Sequence, residues 1–90
     1  MICLGIEGTA HTVGVGVVEN RDGSCIVHSN KFKIYRPEKG GIHPRKAANH
    51  HAKYVSSLIQ ESLDDANFDS KYIDLVSFSK GPGLGPCLRT

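Results

Sequence analysis

Met1–Val18, MICLGIEGTAHTVGVGVV, decides how the rest of the chain is read. Ile2, Leu4 and Ile6 alternate with Cys3 and Gly5, so both faces of this run are apolar or small, the pattern of a central strand. Gly8-Thr9-Ala10-His11 interrupts the run, and a second strand is predicted from Thr12 to Glu19. Val13, Val15 and Val17 fall on one face of that strand; Gly14, Gly16 and Val18 fall on the other. Two glycines on one strand face predict that something packs closely against them.

Outward from this stretch, Asn20-Arg21-Asp22-Gly23 carries the Asp-Gly hairpin signal. A third strand is expected from Cys25 to about Tyr35, amphipathic in its later half. Arg36–Gly41 reads as a loop. Pro44 suits the first turn of a helix. Ala47, Ala48, His51, Val55, Leu58, Ile59 and Leu63 then follow helical spacing, and the helix should end near Asn67. A fourth strand is expected over Tyr72–Ser79, with Ile73, Leu75, Val76 and Phe78 as its apolar residues. A strand that follows a crossover helix should lie parallel to one of the first three. The order is β-β-β-α-β in the α/β class, and a glycine loop then leads into a helix.

The chain has 90 residues, 39% of them hydrophobic and none of them Trp, which suffices for one thin core. Eleven basic and nine acidic residues give a net charge of +2, which neither demands nor excludes nucleic acid. Cys3, Cys25 and Cys87 are odd in number and widely spaced, unlike a disulfide framework or a zinc knuckle. Their surroundings suggest reduced thiols at buried positions. No signal peptide or membrane-spanning run is apparent, and a cytoplasmic location is expected.

Four groups of residues could carry chemistry. The first is the hairpin after strand one, where Glu7, Gly8, Thr9, Ala10, His11 and Thr12 could cradle an anion through backbone N–H groups and the Thr9 and Thr12 hydroxyls. The same residues also read as an ordinary turn capped by Glu7. The second is Gly81, Pro82, Gly83, Leu84 and Gly85, a β-to-α junction where backbone can approach a phosphate and a helix N-terminus favours negative charge. It matches neither GxxxxGK[ST] nor GxGxxG. The two loops should meet at one rim of one sheet, where open sheets place ligands.

The third group is the histidines. His50 and His51 point about 100° apart on a helix and do not make a metal pair. His51 reads as a hydrogen-bonded structural histidine, and His11 as a possible ligand contact. The fourth is Lys31, Lys33, Arg36, Lys39, Arg45 and Lys46, six of the eleven basic residues within 16 positions and facing one acid, Glu38. Phe32 and Tyr35 lie among them. Such a patch can neutralise phosphates while aromatics stack on bases; it also reads as a solvated strand edge protected by lysine.

Three blocks in order, MICLGIEGTAHTVGVGVV, GGIHPRKAANHHAKYVSSLI and IDLVSFSKGPGLGPCLR, resemble the opening of the tRNA threonylcarbamoyladenosine synthase family, which includes the catalytic subunit of the KEOPS complex. The GTAHT loop resembles the archaeal and eukaryotic form. The resemblance implies an actin-like fold of the Hsp70 and sugar-kinase type, with residues 1–90 as the N-terminal part of its first lobe and the second lobe absent. It implies transfer of a threonylcarbamoyl group from threonylcarbamoyl-adenylate to the adenosine beside the anticodon, with an adenine nucleotide and tRNA as ligands. It implies docking to the dimerising and kinase subunits of KEOPS. It also implies one divalent metal, iron or zinc, held by a His-x-x-x-His pair and an Asp downstream of the GPGL block, so no metal ligand is assigned here. Residues 8–12 correspond to the phosphate-facing hairpin and 81–85 to a loop lining the cleft. The ending CLRT departs from the usual continuation. Alone, the 90 residues should be inactive. Two other readings compete: a fragment that serves only as a docking surface for KEOPS partners through the Pro44–Asn67 helix, and a sugar or acetate kinase. The GGIHP and GPGLGP blocks count against the kinase.

Overall fold

A computed structural model describes residues 1–37 and 39–90. Strands β1 (Ile2–Glu7), β2 (Thr12–Arg21) and β3 (Ser24–Ile34) are followed by helix α1 (Pro44–Ala66), a 3-10 turn (Ser70–Tyr72), strand β4 (Leu75–Phe78) and helix α2 (Gly85–Arg89). The strands form one sheet in the order β3-β2-β1-β4. β1 is antiparallel to β2 and parallel to β4, with Leu4 opposite Val17 and Val76. β2 and β3 are joined by Asp22 and Gly23, both at positive φ (52° and 82°), as a tight primed turn requires. A register shift between Val17 and Val18 bulges this hairpin.

Helix α1 starts where the sequence predicts. Pro44 occupies its first turn, and the His43 imidazole caps it, accepting from the Lys46 N–H at 3.4 Å. Its end is a Schellman motif. Asn67 turns left-handed (φ 58°), its N–H reaching the Asp64 carbonyl and the Phe68 N–H the Leu63 carbonyl, each at 3.1 Å. Phe68 then packs back on the cluster that holds Leu63.

Val13, Val15 and Val17 meet Leu58 and Leu63 of α1 and Leu4 of β1 in the main core. Each such side chain contributes about 1.5–3 kcal/mol on burial. Two serines cross this interface. Ser62, fully buried, donates to the Val15 carbonyl at 3.0 Å, and Ser29 donates to the Ser62 carbonyl at 2.8 Å. A small hydroxyl at 62 brings the helix close to β2 and fixes its register. A second cluster joins Ala47, Ala48 and Cys87, with Tyr35 and Leu84 against it.

Several expectations change. β4 is shorter than Tyr72–Ser79, because the Asp69 carboxylate accepts the Lys71 N–H and draws Tyr72 into the 3-10 turn. β4 is also exposed on both faces, with Val76 at 58% and Phe78 at 72%, because α1 covers β2 and β3 and stops short of it. Cys25 is exposed on β3, Cys3 half-buried and Cys87 buried; all three are free thiols. Nothing among the described residues packs on the glycine face. Gly5, Gly14 and Gly16 floor an open depression of about 490 Å³, and the nearest atoms to a Cβ at 14 or 16 belong to the neighbouring strand β3.

Candidate functional site

β1 and β4 are parallel neighbours, so the loops that follow them leave the sheet at the same carboxyl rim. There the loops touch. The Leu84 N–H donates to the Thr9 carbonyl at 2.7 Å. Gly83 lies so close to Thr9 that a Cβ there would fall 2.5 Å from the Thr9 carbonyl oxygen and 2.7 Å from its Cβ. Only hydrogen fits at that point. A cis peptide joins Gly81 to Pro82. The Gly85–Arg89 helix is five residues long, too short to present much of a dipole to a ligand.

Within the first loop the donors are divided. The Glu7 carboxylate accepts from the Thr9 N–H at 2.9 Å and from the Thr9 hydroxyl at 2.5 Å. Glu7 therefore caps the turn, and the Thr9 hydroxyl is engaged inside the loop. The Ala10 carbonyl accepts from His51 Nε2 at 2.6 Å and from the Cys87 thiol at 3.5 Å. The His11 carbonyl accepts from the Tyr35 N–H at 2.7 Å, while the His11 side chain is exposed. Among the described residues the amides of Ala10 and His11 and the Thr12 hydroxyl find no acceptor, so these loop donors are free of Glu7.

Behind the loop, His51 is 2% exposed, and its Nδ1 lies 3.0 Å from His50 Nδ1. Burial holds the His50 imidazole below its ordinary pKa; the neighbouring His51, Lys53 and Lys33 act in the same direction. Burial also pushes the Cys87 thiol up, so it stays protonated as a donor to Ala10. A pocket of about 300 Å³ opens beside these groups, with Ile6, Gly8, Val13, His51, Phe78 and Leu88 in its wall. The sequence marks His51 as hydrogen-bonded; its partner, 41 residues away, is a carbonyl, to which no side-chain pattern points.

The basic residues divide by face. Lys31 lies 3.8 Å from Asp65 of α1, and Lys33 sits over the Tyr54 ring at 5.7 Å. Phe32 points to the opposite face of β3, into the open depression. Arg36, Lys39 and Lys46 line one depression of about 530 Å³ with Tyr35 and His43; Arg45 is exposed on the first turn of α1. Glu38, the acid expected among them, lies outside the described residues. The single patch read from the sequence is thus two groups, because Lys31 and Lys33 share the α1 face of β3 whereas Arg36, Lys39 and Lys46 follow the end of that strand, in the loop and the first turn of α1.

Among the described residues no three His, Cys, Asp or Glu side chains gather as a metal site. Both ring nitrogens of His51 have protein partners. The residues present do not fit the divalent metal that the resemblance implies. Among the described residues, no helix is long and apolar enough to cross a membrane.

The element order and the sheet define a β-β-β-α-β fold of the actin-like class. The YeaZ protein of Pseudomonas aeruginosa superposes on 99% of the chain with a TM-score of 0.68 at 17% identity, over 35% of its own length. A family model, tRNA N6-adenosine threonylcarbamoyltransferase (TsaD), matches residues 25–90, and the chain belongs to this family. It is 51% identical over 89 residues to the tRNA N6-adenosine threonylcarbamoyltransferase of Thermococcus sibiricus, covering 99% of the chain and 26% of that protein. It is 57% identical over all 90 residues to a "Probable bifunctional tRNA threonylcarbamoyladenosine biosynthesis protein" of Methanosphaera stadtmanae, covering 16% of it. The chain therefore spans between a sixth and about a quarter of the length of these curated relatives.

Proposed function

We propose that these residues form the N-terminal portion of a transferase that moves a threonylcarbamoyl group from threonylcarbamoyl-adenylate to adenosine beside the anticodon of tRNA. The observation that carries this reading is the junction of the two loops: Leu84 N–H on the Thr9 carbonyl, with Gly83 pressed against the same residue. It brings the amides of residues 10 and 11 to the rim beside the 81–85 turn.

The donor is a mixed anhydride. The exocyclic amine of adenosine bonds to the carbamoyl carbon, the carbon–oxygen bond to phosphate breaks, AMP leaves with that electron pair, and the amine gives up a proton. Negative charge concentrates on the leaving phosphate, and preorganised N–H groups stabilise it without reorganising. The chain's own part is to hold the adenylate phosphate on this rim and to fix the first loop. The depression of Arg36, Lys39 and Lys46 suits tRNA phosphates; the exposed face of α1 suits a KEOPS subunit.

A graft tests the reading. The matching residues of the Thermococcus sibiricus enzyme are replaced by this chain, and its tRNA is digested and analysed by mass spectrometry. The hybrid should yield threonylcarbamoyladenosine, and the isolated 90 residues should yield none. A hybrid that folds and binds adenine nucleotide yet leaves tRNA unmodified overturns the reading.

A further inference from the structure

We propose that His51 is a positioning residue that aims the His11 N–H at the anion, with His50 setting the tautomer in which it does so; this deepens the function proposed above and rests on it. The first step is the planarity of the peptide. In a trans peptide the C=O and the following N–H point in opposite directions. The Ala10 carbonyl is drawn toward α1 and α2 by His51 Nε2 at 2.6 Å and the Cys87 thiol at 3.5 Å. The His11 N–H belongs to the same peptide and faces the other way. The Thr9 carbonyl is likewise drawn inward by Leu84, which turns out the Ala10 N–H. Two successive carbonyls held from behind present two successive amides in front.

Proton placement follows from what each partner can do. A carbonyl oxygen only accepts, so His51 Nε2 carries a hydrogen. A neutral imidazole then has a bare Nδ1. The atom 3.0 Å from it is His50 Nδ1, which must be the donor. His50 is thus the Nδ1–H form and His51 the Nε2–H form. The His50 ring is itself packed between Tyr54 at 4.8 Å and Tyr35 at 5.7 Å, so this donor is held in place. The loop backbone lies beside the His51 ring: a Cβ at Gly8 would make ordinary contact with it, 3.7 Å from Cδ2.

The experiment uses the grafted hybrid, with His51→Leu, His51→Gln and His50→Leu variants. Nitrogen-detected NMR of the unsubstituted hybrid should show His51 as the Nε2–H tautomer and His50 as the Nδ1–H tautomer. His51→Leu should raise KM for threonylcarbamoyl-adenylate about ten-fold, the scale of one hydrogen bond, with KM for tRNA unchanged. Amide exchange at Leu84 and Tyr35, whose N–H groups bond to the Thr9 and His11 carbonyls of this loop, should quicken alongside. Glutamine retains an N–H donor, so His51→Gln should restore most of both. His50→Leu should leave His51 a mixture of tautomers. A purely structural histidine would reduce the active fraction without splitting the two KM values. An Nδ1–H tautomer at His51, or unaltered exchange at Leu84 and Tyr35 in all variants that fold, overturns the proposal. Should the hybrid modify no tRNA at all, tautomer and exchange still decide the positioning role, so the two failures are told apart.

Discussion

The two faces of the sheet are built to different rules. On the α1 side, Val13, Val15 and Val17 are buried under Leu58 and Leu63, and two serine hydroxyls lock helix to strand. On the other side, Gly5, Gly14 and Gly16 present bare backbone, with exposed Phe32 at the margin. The same three strands supply both. Alternation alone separates them, so one face carries the stability while the other stays open. The candidate site lies at the rim, where that stability is passed to the loops through His51 and Cys87.

The largest expected effect lies on the covered face. Leu58→Ala should cost about 2–5 kcal/mol in chemical denaturation, whereas Phe78→Ser on the uncovered strand β4 should stay within about 0.5 kcal/mol. Equal losses at the two positions would break the contrast. Next is the rim. Gly83→Ala places a methyl on the Thr9 backbone and should cost about 1–3 kcal/mol, read as a lower thermal midpoint, with faster amide exchange at Leu84. Gly41→Ala, with nothing within 4 Å, is the control and should change little.

Removal of the Ser62 hydroxyl orphans the Val15 carbonyl, and Ser62→Ala should lose about 1 kcal/mol in the same denaturation assay. Gly14→Ala probes the open face. A Cβ there makes only ordinary 3.6 Å contacts, so the variant should be neutral or gain a few tenths of a kcal/mol by restricting the unfolded chain. A marked loss would mean that the face is covered. The smallest effect is acid sensitivity. His50 titrates below its ordinary 6.5 when folded, so the unfolded chain binds the proton first. Stability is full above pH 6.5 and should decline modestly as pH falls below it toward the folded value. His51, Lys33 and Lys53 are the titratable neighbours of this ring. A His50→Leu variant should flatten that part of a stability–pH curve.

Local signals in the sequence were strong enough for most of the fold. Asp22-Gly23 announces the primed turn, alternating valines give β2 its buried face, and Pro44 marks the start of α1. The shortening of β4 is hidden in the sequence because Tyr72 and Ile73 are apolar and continue the strand pattern, while the Asp69 cap that diverts Tyr72 is a local polar bond. The exposure of Cys25, Val76 and Phe78 depends on where α1 ends its cover, which no strand-level periodicity contains. At the rim, the two glycine loops could be named as candidates, and their contact follows from β1 and β4 being parallel neighbours. What could not be read is the direction of each bond: that Glu7 ties down the Thr9 hydroxyl, or that His51 reaches a backbone carbonyl. Carbonyls are common to every residue, and their partners are set by tertiary approach.

His51 and Ser62 stand eleven residues apart on one helix, about 16 Å along its axis. One end is bolted to the middle of β2 and the other to the Ala10 carbonyl. A rod pinned in this way transmits a push. Anything seated on its outer surface that tilts or slides it by a fraction of an ångström delivers that displacement to the first loop, and the geometry of the rim becomes adjustable from a distance.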